Sequence, residues 1–215
     1  MKTFSILICS IHSRKKLLQR LLDILLKDAG TYEHTRETYS EHFTDYYFFN
    51  DIEIIVYTDS MNITIGEKRN RLIKFSTGKY LAFIDDDDTV EPDYIPQIVS
   101  KTETDPDCIV FDAIRYVNGV KDKQVKYGVE YRRDFNDKEL YYRLPNHLMA
   151  LRKEIVLAVP YAKVNFGEDS LFARSVSKYI HKQERIDKVL YHYWFSQQQS
   201  STAHLHSQKR LRPVK

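Results

Sequence analysis

Residues 78–88 read Gly-Lys-Tyr-Leu-Ala-Phe-Ile-Asp-Asp-Asp-Asp, and this stretch decides the fold. The apolar run 80–84 predicts a strand buried on both faces, as in a parallel sheet. It leads directly into four adjacent carboxylates, which repel one another and so are not gathered for stability. Because open α/β sheets bind ligands beyond the carboxyl ends of their strands, the run predicts a ligand site at the end of this strand.

The chain on either side alternates strands with helices, which predicts an α/β fold. Short apolar runs predict strands, and leucines at helical spacing up to Asp28 predict the first helix. Gly78 is expected at the C′ position of a second helix. Residues 30–50 break the alternation and are expected to form a long excursion or an irregular helix. The further strands are expected at 4–11, 52–57 and 108–114, and the further helices at 66–77 and 93–104.

The second half is predicted to be richer in hairpins. Asn118-Gly119 accepts positive φ at both turn positions and predicts a tight hairpin, followed by a Tyr-rich arm over 121–135. Strands are expected at 144–151 and 186–195, and a helix at 168–181. Because no linker separates the two halves, one domain is expected over 1–196, with halves 1–115 and 116–196. Residues 197–215 are expected to form a polar, basic tail.

Composition excludes several classes of protein. The 215 residues carry 33 Lys and Arg against 30 Asp and Glu, and a net charge of +3 does not by itself indicate nucleic acid or an anionic membrane. Cys9 and Cys108 lie in apolar runs and are expected to be reduced core thiols. No apolar run approaches 18 residues and no signal segment is recognisable, so a cytoplasmic protein without a membrane span is expected.

The acidic run suits a divalent cation. Carboxylate oxygens are the hard ligands that Mg²⁺ and Mn²⁺ prefer, and such an ion commonly holds a diphosphate. The alternating ligands, central glycine and closing Glu of an EF-hand are missing. A solvated acidic turn is the alternative interpretation, which the buried strand before the run makes less favourable.

Four segments in order, 5–14, 65–70, 78–88 and 167–170, resemble family 2 glycosyltransferases, and the likeness extends from residue 4 to about 195. These are inverting enzymes of the GT-A fold that use nucleotide-diphosphate sugars. The short chain and the segments 145–148 and 191–193 resemble the small phage and bacterial members. The implied fold is a GT-A-type, Rossmann-like mixed sheet flanked by helices, with a hairpin-rich C-terminal half.

The resemblance implies a donor site at the ends of the first strands. The loop after strand 1 would hold the base, Asp59 would accept from the base N3–H, and Asp85 would touch the ribose. The N3–H of uracil is a donor where cytosine has an acceptor, which favours a UDP-sugar. The implied donor-binding set is Cys9, Ser10, Ile11, Arg14, Asp59, Arg69, Asn70, Asp85 and Asp86.

The same resemblance implies a metal and a catalytic base. Asp87 would ligate Mn²⁺ or Mg²⁺ with help from His192, and Asp169 would be the base, with Glu168 as its rival. Because Asp86 departs from the commonest pattern, the register of the acidic run is open by one residue. The residues implied to contact acceptor or donor sugar are Asp88, His147 and Glu168. A loop cap for His147 and a sheet histidine for His192 are the alternatives.

The implied reaction moves a sugar from a UDP-sugar to a hydroxyl acceptor. The acceptor is either a glycan or a hydroxymethylated pyrimidine in phage DNA, because the arm interleaves tyrosines with cations and aromatic faces stack on sugars and on bases. Two alternatives remain: a non-catalytic module that binds nucleotide-sugars or glycans, and an unrelated Mg²⁺-dependent phosphotransfer enzyme.

Overall fold

A computed structural model describes residues 2–27, 29–39 and 42–196, and its strands join in one mixed sheet. The strands are β1 (Phe4–Ile11), β2 (Glu33–Tyr39), β3 (His42–Phe49), β4 (Ile52–Asp59), β5 (Tyr80–Phe83), β6 (Thr89–Val90), β7 (Cys108–Val117), β8 (Val120–Tyr127), β9 (Phe135–Asn136), β10 (Leu140–Arg143), β11 (Ala150–Arg152) and β12 (Gln183–Phe195). The helices are α1 (Lys15–Leu26), α2 (Ile65–Phe75), α3 (Tyr94–Lys101), α4 (Lys153–Ala158) and α5 (Glu168–Val176).

The centre of the sheet is parallel, which confirms the α/β class. β1 lies between β4 and β5 and is parallel to both. Nearly every residue of these three strands is buried, because helices cover the faces of the sheet. The leucines of α1 supply part of this cover through Leu18, Leu21, Leu22 and Leu25. The carboxyl ends of β1, β4 and β5 therefore meet at one edge, where the acidic run begins.

The second half extends the sheet and returns to that edge. β11 runs antiparallel to both β5 and β7, so β7 points the same way as β5. β7 and β8 form the expected hairpin, with φ of 50° at Asn118 and 83° at Gly119. The last strand, β12, is parallel to β7 and pairs through Tyr191 and His192 with β6, just after the acidic run. The end of β12 thereby becomes part of the same edge.

The expectation of an irregular helix over residues 30–50 is wrong. This segment forms an antiparallel hairpin of β2 and β3, and β3 adds the hairpin to the sheet beside β4. All seven residues of β2 are exposed, so the strand has no apolar face that would reveal a two-residue period in the sequence. The structure of the hairpin is determined by the pairing of β3 with β4, which is a tertiary effect.

The role expected for Gly78 is also wrong. Helix α2 ends at Phe75, and the next residue, Ser76, has extended dihedral angles. Gly78 does not have a positive φ. A Cβ atom there would lie 2.3 Å from Ser5 Oγ and 2.7 Å from Ser5 N, so glycine is needed for the close approach of two backbones.

The strand expected over 144–151 is reduced to the three residues of β11. Pro145 has no N–H to offer a sheet. The side-chain oxygen of Asn146 accepts a hydrogen bond from Leu148 N at 3.0 Å. The backbone carbonyl of Asn146 accepts a second one from Met149 N at 3.2 Å. These local bonds form a turn, which delivers His147 to the end of β5, where its carbonyl accepts from Phe83 N at 2.8 Å.

Two other expectations concern the chain as a whole. The predicted tail, residues 197–215, lies outside the described residues. Among the helices that the structure describes, none is long and apolar enough to cross a lipid bilayer.

Candidate active site at the carboxyl edge of the sheet

The acidic run divides into two partly exposed and two buried carboxylates. The side chains of Asp85 and Asp87 are 32% and 21% exposed. Asp86 is buried and accepts hydrogen bonds from Ser10 Oγ at 2.7 Å and from Arg14 Nη1 at 2.8 Å. Arg14 also lies 3.2 Å from the Asp87 carboxylate. Burial raises the pKa of Asp87 to about 6 although Arg14 opposes the shift.

Asp88 is bound to the last strand. It is fully buried and accepts from Tyr191 Oη at 2.6 Å and from Trp194 N at 2.7 Å, which fastens β12 beneath the acidic run. Burial and the neighbouring carboxylates of Asp85 and Asp87 raise its pKa well above the usual range. The contact of Asp88 with sugar or acceptor stays a prediction, and both carboxylate oxygens already accept from the last strand.

Arg69 joins the acidic run to α5. Its Nη2 donates to Asp85 at 3.2 Å, and its Nε lies 3.7 Å from Glu168 at the start of that helix. The guanidinium carbon lies 4.9 Å from the ring centre of Phe83 and 5.6 Å from that of Tyr161. Burial opposes the ionisation of Asp85, but Arg69 and His147 outweigh it and hold the pKa of Asp85 below its usual range.

His147 lies on the other side of Asp85. The ring is buried, and its Nε2 is 3.5 Å from Asp85 Oδ2, at the outer limit of a hydrogen bond. Both ring nitrogens are buried without a hydrogen-bond partner among the described residues. The 145–149 turn therefore places the buried His147 ring beside Asp85.

The ends of β1 and β4 differ from expectation. Cys9, Ser10 and Ile11 are not a loop but remain in β1, opposite residues 57–59 of β4. The Cys9 thiol is buried, which raises its pKa to about 12. The predicted contact between residues 9–11 and a base would therefore be made by the end of a strand and not by a loop.

Asp59 is buried at the end of β4 and is surrounded by donors of the protein. Its carboxylate accepts from Met61 N at 3.0 Å and Asn62 N at 3.1 Å, and it pairs with Lys68. Lys68 also donates to the Ser10 carbonyl at 3.0 Å. Asp59 therefore shapes the loop after β4 and, through Lys68, ties β4 to β1.

Asn70 points away from the expected ribose site. Its amide nitrogen donates to the Tyr161 carbonyl at 2.9 Å, and its amide oxygen accepts from Tyr161 N at 2.9 Å. Both ends of the side chain are used to join α2 to the segment before α5. This correction leaves Asn70 with a structural role that the sequence does not reveal.

Asp169 and its neighbour Glu168 lie in the first turn of α5, after Gly167 with a φ of 81°. Glu168 is buried against Arg69, and burial raises its pKa. Asp169 is partly exposed, and its Oδ1 accepts only from Ser170 N, at 2.7 Å, among the hydrogen bonds of the described residues. Of the two carboxylates, Asp169 is the more exposed.

Asp85 and Asp87 fit a divalent cation, because they are the exposed carboxylates of the run and offer hard oxygen ligands. Within the described residues, no three or more His, Cys, Asp or Glu side chains are grouped to hold an ion. The His192 imidazole bonds Glu91 at 2.7 Å, and its help to Asp87 in holding a metal stays a prediction. Diphosphate oxygens and water would have to complete the coordination.

Three residues of this edge were missed by sequence analysis. Lys68 precedes Arg69 in a segment already singled out, and Tyr191 adjoins His192, so both had a signal in their neighbours. Tyr161 had none, because its position between Arg69 and Phe172 depends on how the segment before α5 packs.

The fold and this edge together define a glycosyltransferase domain of the GT-A type. Residues 5–159 match the family model described as "Glycosyl transferase family 2", so the chain belongs to glycosyltransferase family 2. Among curated proteins, none matches the chain significantly.

Solved structures of S. aureus TarS share the fold. The structure of TarS 1–349 in complex with UDP-GlcNAc is 16% identical, with a TM-score of 0.63 over 91% of this chain and 59% of that one. The UDP complex of the same protein is 15% identical, with a TM-score of 0.62 over 91% of this chain and 61% of that one. The chain thus spans about three fifths of these TarS structures.

We predict that Arg69→Met lowers the free energy of unfolding by about 3–5 kcal/mol, because it leaves Asp85 and Glu168 without their buried cation. The measurement is urea denaturation followed by circular dichroism. Arg71→Met is the matched control on the same helix: its side chain is 38% exposed and pairs with Glu67, so the expected cost is below about 1 kcal/mol. Equal losses in the two variants would contradict the role given to Arg69.

Proposed function

We propose that the protein is an inverting glycosyltransferase that moves a sugar from a UDP-sugar to a hydroxyl acceptor. The observation that supports this best is the bridge from Asp85 through Arg69 to Glu168. It links the strand end proposed to bind the donor to the helix that carries the proposed base. TarS, which has the same fold, was crystallised with UDP-GlcNAc and with UDP, and this favours a uridine donor here.

The proposed reaction is a single displacement. The acceptor oxygen attacks the anomeric carbon from the face opposite the diphosphate, a new carbon–oxygen bond forms, and the bond from that carbon to the diphosphate oxygen breaks. The acceptor proton passes to the Asp169 carboxylate, which lies in the first turn of α5. UDP leaves with the electron pair of the broken bond.

A divalent cation, Mn²⁺ or Mg²⁺, is proposed to be held by Asp87 with Asp85 beside it. When bound, such an ion neutralises charge on the diphosphate. Arg14 is proposed to contact the same diphosphate, because it already lies between two carboxylates of the run. Asp86 and Ser10 keep Arg14 in place without contacting the substrate.

A glycan is the acceptor that the aromatic side chains of β9 and β10 favour. The cations around Tyr141, at 4.9–5.7 Å from its ring centre, are bound to other groups of the protein: Arg115 to Asp122, Lys123 to the Asp137 carbonyl, and Arg143 to Asn136. Cations that are engaged in this way contribute less to phosphate binding. The ring centres of Phe135 on β9 and Tyr142 on β10 lie 4.5 Å apart in a stack, and these rings offer apolar faces suited to sugar rings.

We expect UDP release from a UDP-sugar to rise when a hydroxyl-bearing glycan is added. The assay compares panels of donors with glycan acceptors and with hydroxymethyl-pyrimidine DNA. Transfer to DNA that weakens steeply with salt would replace the glycan by the nucleic acid. Nucleotide binding without any turnover would favour a non-catalytic module, and phosphate transfer without sugar transfer would favour a phosphotransfer enzyme.

A separate prediction concerns the cation. Asp87→Ala should weaken metal-dependent UDP binding about tenfold or more, equivalent to about 1.4 kcal/mol, because an oxygen ligand is lost. The fold should survive, since one of four crowded carboxylates is removed. Calorimetry with Mn²⁺ and with chelator measures the effect, and Asp187→Ala, an exposed carboxylate on β12, is the charge-matched control. Unchanged binding in Asp87→Ala would move the ligand to another Asp of the run.

Another prediction concerns the proposed base. Asp169→Asn should reduce turnover by about 10²–10⁴, because the amide cannot take the acceptor proton, while UDP affinity stays near that of the wild type. Glu168→Gln should instead lower stability, because Glu168 is buried against Arg69. Steady-state kinetics and thermal denaturation separate the two effects. Full turnover in Asp169→Asn would remove Asp169 from the mechanism.

A further inference from the structure

Tyr193 presents a partly exposed phenol beside the acidic run. Its side chain is 36% exposed, whereas Tyr191, two residues earlier on β12, is fully buried. The Tyr191 hydroxyl donates to Asp88 at 2.6 Å and accepts from Asp85 N at 3.2 Å, so this face of β12 lies against the acidic run. Alternate residues of a strand point to the same face, and the register of β12 is regular beyond Tyr191. Tyr193 therefore stands on the same face, nearer the open edge of the sheet.

The end of β12 holds Tyr193 in a fixed place. The next residue, Trp194, donates through its backbone N to Asp88 at 2.7 Å, and its ring stacks on Tyr116 of β7 with the ring centres 4.1 Å apart. Tyr193 itself is opposite Arg115 of β7. A group mounted on a strand that is anchored on both sides loses little conformational freedom when it binds a ligand.

The surroundings of Tyr193 keep its phenol protonated. Burial raises the pKa of Tyr193, and the carboxylates of Asp88, Asp85 and Asp87 raise it further, although Arg115 opposes the shift. A protonated phenol donates one hydrogen bond. Tyr193 thus offers a neutral donor next to the proposed donor site.

Tyr127 relates this phenol to the proposed base. Ala113 of β7 is opposite Val125 of β8 and also opposite the position on β12 two residues before Tyr193. Tyr127 lies two residues beyond Val125, so it shares the face of Tyr193. Burial raises the pKa of Tyr127, and both Asp169 and Tyr193 add to the shift. The base and the phenol are therefore both within electrostatic reach of one buried ring.

Polar and aromatic groups continue beside Tyr193 on β7 and its neighbours. Arg115 Nη1 donates to Asp122 at 3.0 Å and to the Tyr141 hydroxyl at 3.1 Å. Its guanidinium carbon lies 5.7 Å from the ring centre of Tyr141 and 5.6 Å from that of Phe195. Because Asp122 balances the charge of Arg115, this surface suits the hydroxyl groups and apolar faces of a neutral sugar.

We propose that Tyr193 is an acceptor-positioning residue, whose phenol donates a hydrogen bond to a neutral acceptor sugar and holds the attacking hydroxyl near Asp169. The inference rests on the proposed function, which supplies the donor and the displacement. Without this bond, water can take the place of the acceptor: its oxygen bonds the anomeric carbon, one proton passes to Asp169, and UDP leaves. Tyr193 thereby favours transfer over hydrolysis.

The test compares Tyr193→Phe with the wild type, using one UDP-sugar and a panel of neutral methyl glycosides as acceptors. Total UDP release and the glycosylated product are measured together. Tyr193→Phe should raise the KM for the acceptor about 3- to 10-fold, the effect of one lost neutral hydrogen bond. The share of UDP released without product should rise at low acceptor concentration, while calorimetry with Mn²⁺ finds unchanged UDP affinity. Tyr179→Phe, an exposed tyrosine in the turn after α5, is the matched control and should behave as the wild type.

The outcomes separate this inference from the proposed function. Wild-type protein that releases no UDP from any UDP-sugar would contradict the proposed function and this inference with it. An unchanged acceptor KM and an unchanged share of hydrolysis in Tyr193→Phe would overturn the positioning role and leave the transferase standing. Weaker UDP binding in Tyr193→Phe would also overturn it, because the phenol would then contact the donor. Transfer that requires a phosphate or carboxylate on the acceptor would overturn the neutral sugar.

Discussion

One buried cation, Arg69, holds the proposed active site together. It faces Asp85 after β5 and Glu168 at the start of α5, segments more than 80 residues apart in the chain, and two aromatic rings exclude water around it. A buried charge is stable only when its partners are in place. The position of α5, and hence of Asp169, therefore depends on the end of β5. The proposed donor and base sites are thus coupled by this electrostatic requirement and not by a continuous backbone element.

The four aspartates of the acidic run show how one sequence pattern supports several roles. Asp86 holds Arg14, Asp88 holds β12, and Asp85 and Asp87 remain partly open to a ligand. Their mutual repulsion is relieved because the chain supplies a different donor to each buried member. Crowding the carboxylates is thus the cost of placing two of them where a diphosphate and its cation are proposed to lie.

The parallel centre of the sheet and the place of the candidate site were predictable. An apolar run that ends in charged residues indicates the end of a buried strand, and this pattern does not depend on tertiary contacts. The β2–β3 hairpin was not, since the exposed strand β2 lacks an apolar face and depends on β3 for its pairing. Within the site, residue type predicted location but not direction. Asn70, Asp88 and His192 lie near the edge, yet each turns to a protein partner that only the folded chain brings close.

The attachment of Asp88 to β12 also affects how the protein is made. Its partners Tyr191 and Trp194 follow it by 103 and 106 residues. At about 5–20 residues per second, the ribosome synthesises Asp88 roughly 5 to 20 s before Trp194. During that interval the two partners of Asp88 on the last strand are missing, so the end of β5 lacks the bonds that close it. The nascent chain can assemble its parallel strands early, but it acquires a finished acidic edge only when the last strand docks.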